Sequence, residues 1–321
     1  MRNTPLYDHY VRMCRMRAFE EACIAGAAQR EIHGELHTGI GQEAVASGLA
    51  VHLRRADALV STHRNHLHGL AKGVDEAALM AEIFEKETGI CRGRGGHMHP
   101  FDPSTNFSAT GIVGASLPVA LGYAYAFAME KRDDVAVALT GDGGSNNGSF
   151  HETLNMAAAW RLPLLVVIEN NDYAISVPAA AVTSPVSLAD RAAAYGARGM
   201  QADGRDVEAV DRAMGGAFDH VRGGQGPCIV ELACHRFRGH YEGDADTYRP
   251  REERQRMKRE GDPILLARER LIAEGVTAPE LDAAQKSEAD DIAGILAAVR
   301  GERQPDAAGA LDHVFVQEVA R

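Results

Sequence analysis

No C-x-x-C pair occurs among the five cysteines, Cys14, Cys23, Cys91, Cys228 and Cys234. Thiols scattered in this way exclude a disulfide framework and point to a reducing, cytoplasmic setting. No apolar run approaches about 18 residues and no basic-apolar leader opens the chain, so neither a membrane span nor a signal peptide is expected. No internal repeat is present. Positive charge is scarce: 34 Lys and Arg stand against 45 Asp and Glu, a formal net charge of −11. That argues against a nucleic-acid or anionic-membrane partner. Arginines are still numerous enough for a local anion site. No G-x-G-x-x-G follows the first strand, which argues against a nicotinamide enzyme.

What is present is a sizeable core. The chain has 321 residues, 45% of them hydrophobic, enough for about two domains of roughly 150 residues or one large α/β domain with appendages. Thr4-Pro5 starts a helix to about Arg30, a hydroxyl cap followed by proline at the first helical position. A glycine- and histidine-rich loop spans Gly34 to Gly41, and a second helix Gln42 to Leu53. Ala58 to Thr62 is a strand, followed by His63-Arg64-Asn65-His66-Leu67-His68. Asp75 caps a helix to about Lys86. Four glycines keep Gly89 to His99 irregular. Ser116 caps a helix to about Glu130. Ala179 to Pro185 is a loop, Ser187 caps a short helix ending at Gly196, and Asp206 caps another to about Val221. Cys228 to Ala233 is a strand. His235 to Pro250 is polar, arginine-rich and expected to be mobile. Asp262-Pro263 starts a helix to Gly275, and Pro279 to Arg321 reads as helical. Strands alternate with helices as far as Cys234, and only helices follow. The expected architecture is α/β, a mostly parallel sheet flanked by helices, with helical N- and C-terminal extensions. Residues 1–250 are expected to form the main domain and 251–321 a helical extension.

The centre of this arrangement is Gly141 to Tyr173. An apolar run, Val135 to Leu139, leads into Gly141-Asp142-Gly143-Gly144. A second run, Leu164 to Ile168, leads to Asn171. Between them Phe150, Leu154, Ala157 and Ala158 fall on one helical stripe. Polar oxygens thus stand at the carboxyl ends of two strands, where open parallel sheets bind ligands. Magnesium takes six oxygens and commonly combines one or two protein ligands with phosphate oxygens. Asp142, Asn171 and the carbonyl of Tyr173 could supply such ligands. Gly143 and Gly144 let backbone amides approach a diphosphate.

The run from Gly141-Asp142-Gly143 to Glu169-Asn170-Asn171-Asp172-Tyr173 resembles the thiamine diphosphate motif. Further matches are Arg17-Ala-Phe-Glu-Glu21, His37-Thr-Gly-Ile-Gly-Gln-Glu-Ala44, Gly95-Gly-His-Met-His99, Gly111-Ile-Val-Gly-Ala115 and Arg238-Gly-His-Tyr-Glu-Gly-Asp244. Together they resemble the α subunit of the decarboxylating first component of 2-oxo acid dehydrogenase complexes, over nearly the whole chain. The stretches KETGICRGRGGHMH and FRGHYEGD are closer to acetoin dehydrogenase α subunits than to pyruvate or branched-chain ones.

The resemblance implies a thiamine-diphosphate-binding fold and a role for particular positions. Asp142, Asn171 and the Tyr173 carbonyl would bind magnesium, and Arg64 would hold the diphosphate. His66 and His240 would be the catalytic histidines facing the cofactor. Gly111, Ile112 and Val113 would contact its pyrimidine ring. His63, where many relatives carry tyrosine, would lie by the diphosphate. The activity implied is cleavage of acetoin or decarboxylation of a 2-oxo acid, with acyl transfer to the lipoyl group of a partner acyltransferase. The cofactor-activating glutamate would come from a β subunit in a tetramer of two α and two β chains, since no second α/β half follows Cys234. Two other readings stand beside this. One is a non-catalytic scaffold subunit that has kept the fold. The other is a zinc site among His63, His66, His68, His97 and His99, which Arg64 and Arg94 make unfavourable.

Overall fold

The computed structural model describes residues 4–184 and 187–312. In chain order the elements are α1 (Pro5–Ala28), α2 (Glu43–Ala50), β1 (Ala58–Ser61), α3 (His66–Lys72), α4 (Glu76–Ile83), β2 (Phe101–Asp102), β3 (Phe107–Ala109), α5 (Ser116–Met129), β4 (Ala136–Gly141), α6 (Gly148–Ala159), β5 (Leu164–Asn170), β6 (Tyr173–Ala174), β7 (Val177–Pro178), α7 (Ala179–Val182), β8 (Arg198–Asp203), α8 (Val207–Arg222), β9 (Cys228–Ala233), α9 (Arg251–Glu260), α10 (Pro263–Ala273) and α11 (Ala278–Arg300). Helix starts follow their side chains. Thr4 accepts from the N–H of Tyr7, Asp75 from Ala78 and Asp206 from Glu208 and Ala209, each satisfying a donor that the first turn leaves free.

Seven strands form one sheet in the order β2-β3-β1-β4-β5-β9-β8. All neighbours are parallel except β2 with β3. The central strands β1, β4 and β5 are buried and almost wholly apolar on both faces, as a sheet covered on both sides requires. Val137, Leu139, Leu165 and Val167 pack with Phe19 of α1, Met214 of α8 and Leu296 of α11. Ala136, Ala138, Leu164, Val166 and Ile168 pack on the opposite face with Leu117 and Phe127 of α5 and Phe150 and Leu154 of α6. The C-terminal helices close on the N-terminal one: Leu6 and Tyr10 of α1 share a cluster with Ile264 and Leu271 of α10 and Leu281 of α11.

The α/β architecture is as the sequence implies, with local differences. Ser116 does not cap α5, because its hydroxyl donates to the carbonyl of Leu139 at 2.7 Å. Ala179–Val182 is a short helix rather than a loop; Pro185 of that expected loop lies outside the described residues. The expected C-terminal helix breaks at Gly301, and its last nine positions lie outside the described residues. β8 escapes a sequence reading because Arg198, Gly199 and Gln201 interrupt any apolar pattern. It is an edge strand whose hydrogen-bonding partner, β9, supplies what its side chains do not.

The segment 235–250 is held by arginine rather than left free. Arg249 is buried, paired with Asp246 and bonded to the carbonyls of Arg236 and Arg238. Buried guanidinium donors bonded to backbone oxygens tie a polar segment down as an apolar core would not.

Candidate active site

The chain leaves β1 for β3 on one side of the sheet, then returns past β1 to form β4 on the other. This reversal opens a crevice at the carboxyl ends of the strands. A cavity of about 300 Å³ lies there, lined by residues that follow β1 (Thr62, His63, Arg64), β4 (Asp142, Gly143, Gly144) and β5 (Asn171, Tyr173). Ile112, Val113 and Arg236 and His240 of the segment after β9 complete it.

At the sheet end, Asp142 Oδ2 and Asn171 Oδ1 are buried with no hydrogen-bond partner among the described residues. Buried polar atoms are paired in nearly all proteins, so two orphaned oxygens at adjacent strand ends call for a ligand. Burial holds the Asp142 carboxyl up at about 6, as expected of a carboxylate awaiting a cation. The hydroxyl of Tyr173 bonds Glu253 at 3.2 Å. A side chain at Gly143 would collide with Ala174, and one at Gly144 with Thr140, so only glycine fits these turns. Ile175, on the cavity wall, holds a φ of 57°, a conformation that β-branched residues rarely adopt and that clusters at functional sites.

Two arginines face the same space. Arg64 donates to the carbonyls of Thr38 and His240. Arg236 donates to the carbonyl of Ile175 at 3.0 Å and the hydroxyl of Tyr248 at 2.8 Å. Neither has a carboxylate at ion-pair distance among the described residues. Burial lowers both, Arg64 to about 10, and each remains charged at neutral pH. Two buried guanidiniums without counter-ions suit a multiply charged anion such as a diphosphate. The donor set therefore fits thiamine diphosphate with a magnesium ion: orphaned oxygens for the metal, free cations for the phosphates, and glycine where the backbone must come close.

The other end of the cavity carries His63 and His240, with His37 packed against both rings and off the lining. His37 is buried, with its ring centroid 4.6 Å from that of His63 and 4.7 Å from that of His240. Burial and the neighbouring Arg64 push all three down, His37 to about 2, His63 to about 3 and His240 to about 4. All are neutral at pH 7 in the cofactor-free chain. The Nδ1 atoms of His37 and His240 have no partner among the described residues. His37, His63 and His240 bring ring nitrogens within 4.8 Å of one another, but the two unpaired arginines beside them favour an anion over a second cation.

The sequence-predicted residues fall into two groups. Arg64, His63, Ile112, Val113, Asp142, Gly143, Gly144, Asn171, Tyr173 and His240 come together on the cavity. His66 does not. It is fully buried in α3, with Nδ1 2.9 Å from Glu20 and Nε2 3.2 Å from the carbonyl of His97. Gly111 is not on the cavity lining, and its N–H donates to His99 at 3.2 Å. Arg94 bonds carbonyls of Gly309 and Asp312, and Arg238 pairs with Glu242 at the surface. The sequence does not single out Arg236, which lines the cavity, or His37, which packs against His63 and His240 without lining it. The spacing of His37 from Gly41-Gln42-Glu43 and the position of Arg236 just beyond a strand end were the available signals.

Comparison with known proteins covers nearly the whole chain. Residues 11–307 match the family model described as "Dehydrogenase E1 component". The chain is 43% identical over 256 residues to the α subunit of acetoin:2,6-dichlorophenolindophenol oxidoreductase from Bacillus subtilis (strain 168), covering 79% of this chain and 77% of that protein. It is 39% identical over 309 residues to the subunit of the same name from Cupriavidus necator, covering 96% and 93%. It is 36% identical over 299 residues to the pyruvate dehydrogenase E1 component α subunit of Rhizobium meliloti, covering 92% and 86%.

Proposed function

This chain belongs to the dehydrogenase E1 component family, and on that premise we propose that it is the α subunit of a thiamine-diphosphate-dependent acetoin dehydrogenase. The observation that carries the reading is the pair of orphaned buried oxygens, Asp142 Oδ2 and Asn171 Oδ1, facing two unpaired arginines across one cavity. Thiamine diphosphate, when bound, supplies the nucleophilic carbon and electron sink needed to cleave a carbon–carbon bond beside a carbonyl.

The residues of this chain do the rest. Asp142, Asn171 and the Tyr173 carbonyl hold magnesium, and Arg64 and Arg236 hold the diphosphate. Ile112 and Val113, exposed in the single chain at 71% and 53%, lie against the pyrimidine. His63 and His240 line the cavity; an anionic diphosphate beside them would raise their depressed values, and they would exchange the proton of the substrate hydroxyl. The two-carbon fragment would then be oxidised to the acyl level as the lipoyl disulfide of an acyltransferase partner is reduced and acylated.

A β subunit supplies the glutamate that activates the cofactor. Exposed apolar side chains on α5 support a partner: Val119, Tyr125 and Met129 are exposed at 46%, 47% and 67%, surface that another subunit would cover. Among the described residues no helix is long and apolar enough to cross a membrane.

Relatives named for acetoin oxidoreductase, at 43% and 39% identity, favour a hydroxyketone substrate. The second reading, a pyruvate or branched-chain 2-oxo acid dehydrogenase α subunit, is kept because relatives named for pyruvate dehydrogenase match at similar identity. Co-expression with the β subunit and dye-reduction assays decide between them. Acetoin is expected to be the best substrate, and turnover of pyruvate or a branched 2-oxo acid with acetoin inert would overturn the assignment.

A further inference from the structure

His66 has the residue type of a proton carrier, but its surroundings prevent it from releasing one. We propose that Glu20 and His66 are positioning residues, a buried two-proton pair that fixes the loops carrying His37, His63 and His97 and takes no part in proton transfer. The proposal rests on the reading that histidines at the cavity do the acid–base work.

The proton count follows from donors and acceptors. His66 Nε2 lies 3.2 Å from the carbonyl oxygen of His97, which can only accept, so Nε2 carries a proton. His66 Nδ1 lies 2.9 Å from Glu20 Oε2, so one proton lies between them, on either atom. Glu20 Oε1 is already an acceptor, for the N–H of Gly39 at 2.7 Å. The pair holds two protons and no net charge. With one proton fewer, two lone pairs would oppose each other and a net negative charge would remain where both side chains have zero exposure. Neither residue touches the cavity.

The three hydrogen bonds join segments distant in sequence. Glu20 is on α1, Gly39 is two residues beyond His37, and His66 opens α3 just after His63 and Arg64. The His97 carbonyl belongs to the glycine-rich loop and also accepts from Asn65 at 2.9 Å. The His97 ring stacks on that of His37 with centroids 5.7 Å apart. Glu20 and His66 thus set the backbones on which the cavity histidines ride.

Other titratable groups face the pair: Cys23 on α1, Arg64 beside α3 and His97 on the loop. Burial raises Cys23 well above the ordinary thiol value and lowers His97 to about 3, while Arg64 stands at about 10. None of them changes charge between pH 7 and 9. Glu20, Cys23 and His66 also bring ligand atoms within 4.8 Å, so a metal is the competing use of these side chains.

The test is Glu20→Gln in the complex with the β subunit. The introduced amide can accept from Gly39 and donate to the Nδ1 of a neutral His66, which keeps all three hydrogen bonds. Turnover of acetoin with a dye acceptor is expected to stay within about threefold of the parent, against the roughly 10²–10⁴-fold loss expected if the pair moved a proton in catalysis. A loss of that size overturns the proposal, and so does a variant that fails to assemble.

A second readout does not depend on activity. The unfolding midpoint of the cofactor-free Glu20→Gln chain is expected to stay close to that of the parent, whereas Glu20→Ala, which leaves the Gly39 N–H and His66 Nδ1 without their partner, should lower it. An unchanged midpoint in Glu20→Ala overturns the proposal, as does one transition metal per α chain that Glu20→Gln removes. If the parent binds no thiamine diphosphate, the functional reading fails while the midpoints still decide the pair.

Discussion

Asp142 and Glu20 are both buried carboxyl groups, and they differ in one respect. Glu20 has each oxygen in a hydrogen bond, to Gly39 and to His66. Asp142 leaves Oδ2 without a partner, beside the equally unpaired Oδ1 of Asn171. The histidines divide in the same way. His66 is saturated at both nitrogens, whereas His37 and His240 each leave Nδ1 unpaired. Burial alone therefore does not mark a site. At the cavity wall, the buried oxygens with open valence on two adjacent strand ends are what call for a ligand.

The comparison can be broken by mutation. The largest effect is expected for Asp142→Ala, which removes a metal ligand. Cofactor affinity should fall by more than the roughly 10–100-fold typical of residues one shell further out. The cofactor-free fold should be kept, because no hydrogen bond to Oδ2 is lost. Calorimetry and a thermal melt on the same sample check both halves, and unchanged affinity would remove Asp142 from the metal site.

His240→Asn should lower kcat by about 10²–10⁴-fold while leaving thiamine diphosphate affinity close to that of the parent. Stopped assays paired with a cofactor titration separate the two, and a loss confined to cofactor affinity would make His240 a binding residue.

The saturated group offers a contrasting case in Glu82. Its two oxygens accept four backbone N–H groups, those of Cys91, Gly93, Gly95 and Gly96. Glu82→Gln turns an amide NH2 toward two of those donors and should cost on the order of 3 kcal/mol. The effect should appear in unfolding by denaturant and not in the pH dependence of turnover.

The smallest effect is graded by pH. Burial holds Asp142 at about 6 in the cofactor-free chain, above the ordinary value near 3.9. Metal binding requires the carboxylate, so magnesium-dependent affinity should fall about tenfold per unit as pH drops below 6. Folding stability of the cofactor-free chain runs the other way. The raised carboxyl contributes stability that is present below about pH 4 and lost as pH rises toward 6. Calorimetric titrations and melts across pH 5 to 8 would show whether the two trends oppose each other.

Much of this was legible in the sequence. Gly141 to Tyr173 carries its strand-helix-strand pattern in residue type alone, because β4 and β5 are buried on both faces and read as apolar runs. The metal-site oxygens follow from those strand ends. β8 was not legible, since its pairing is set by backbone bonds to β9 rather than by its own side chains. His66 was misplaced because neighbours in sequence diverge at a helix start. His63 and Arg64 are in the loop after β1 and face the cavity, whereas His66 opens α3 and turns into the core. No spacing rule shows that Glu20, on a helix far away in sequence, occupies one of its nitrogens. The burial of Arg249 was not legible because it depends on carbonyls of the same segment.

The most direct test of the central claim is a calorimetric titration of the chain, co-expressed with its proposed β subunit, with thiamine diphosphate, with and without magnesium. Orphaned oxygens that await a metal predict one cofactor per α chain when magnesium is present and little binding without it. Equal affinity in both titrations would contradict the assignment of Asp142 and Asn171.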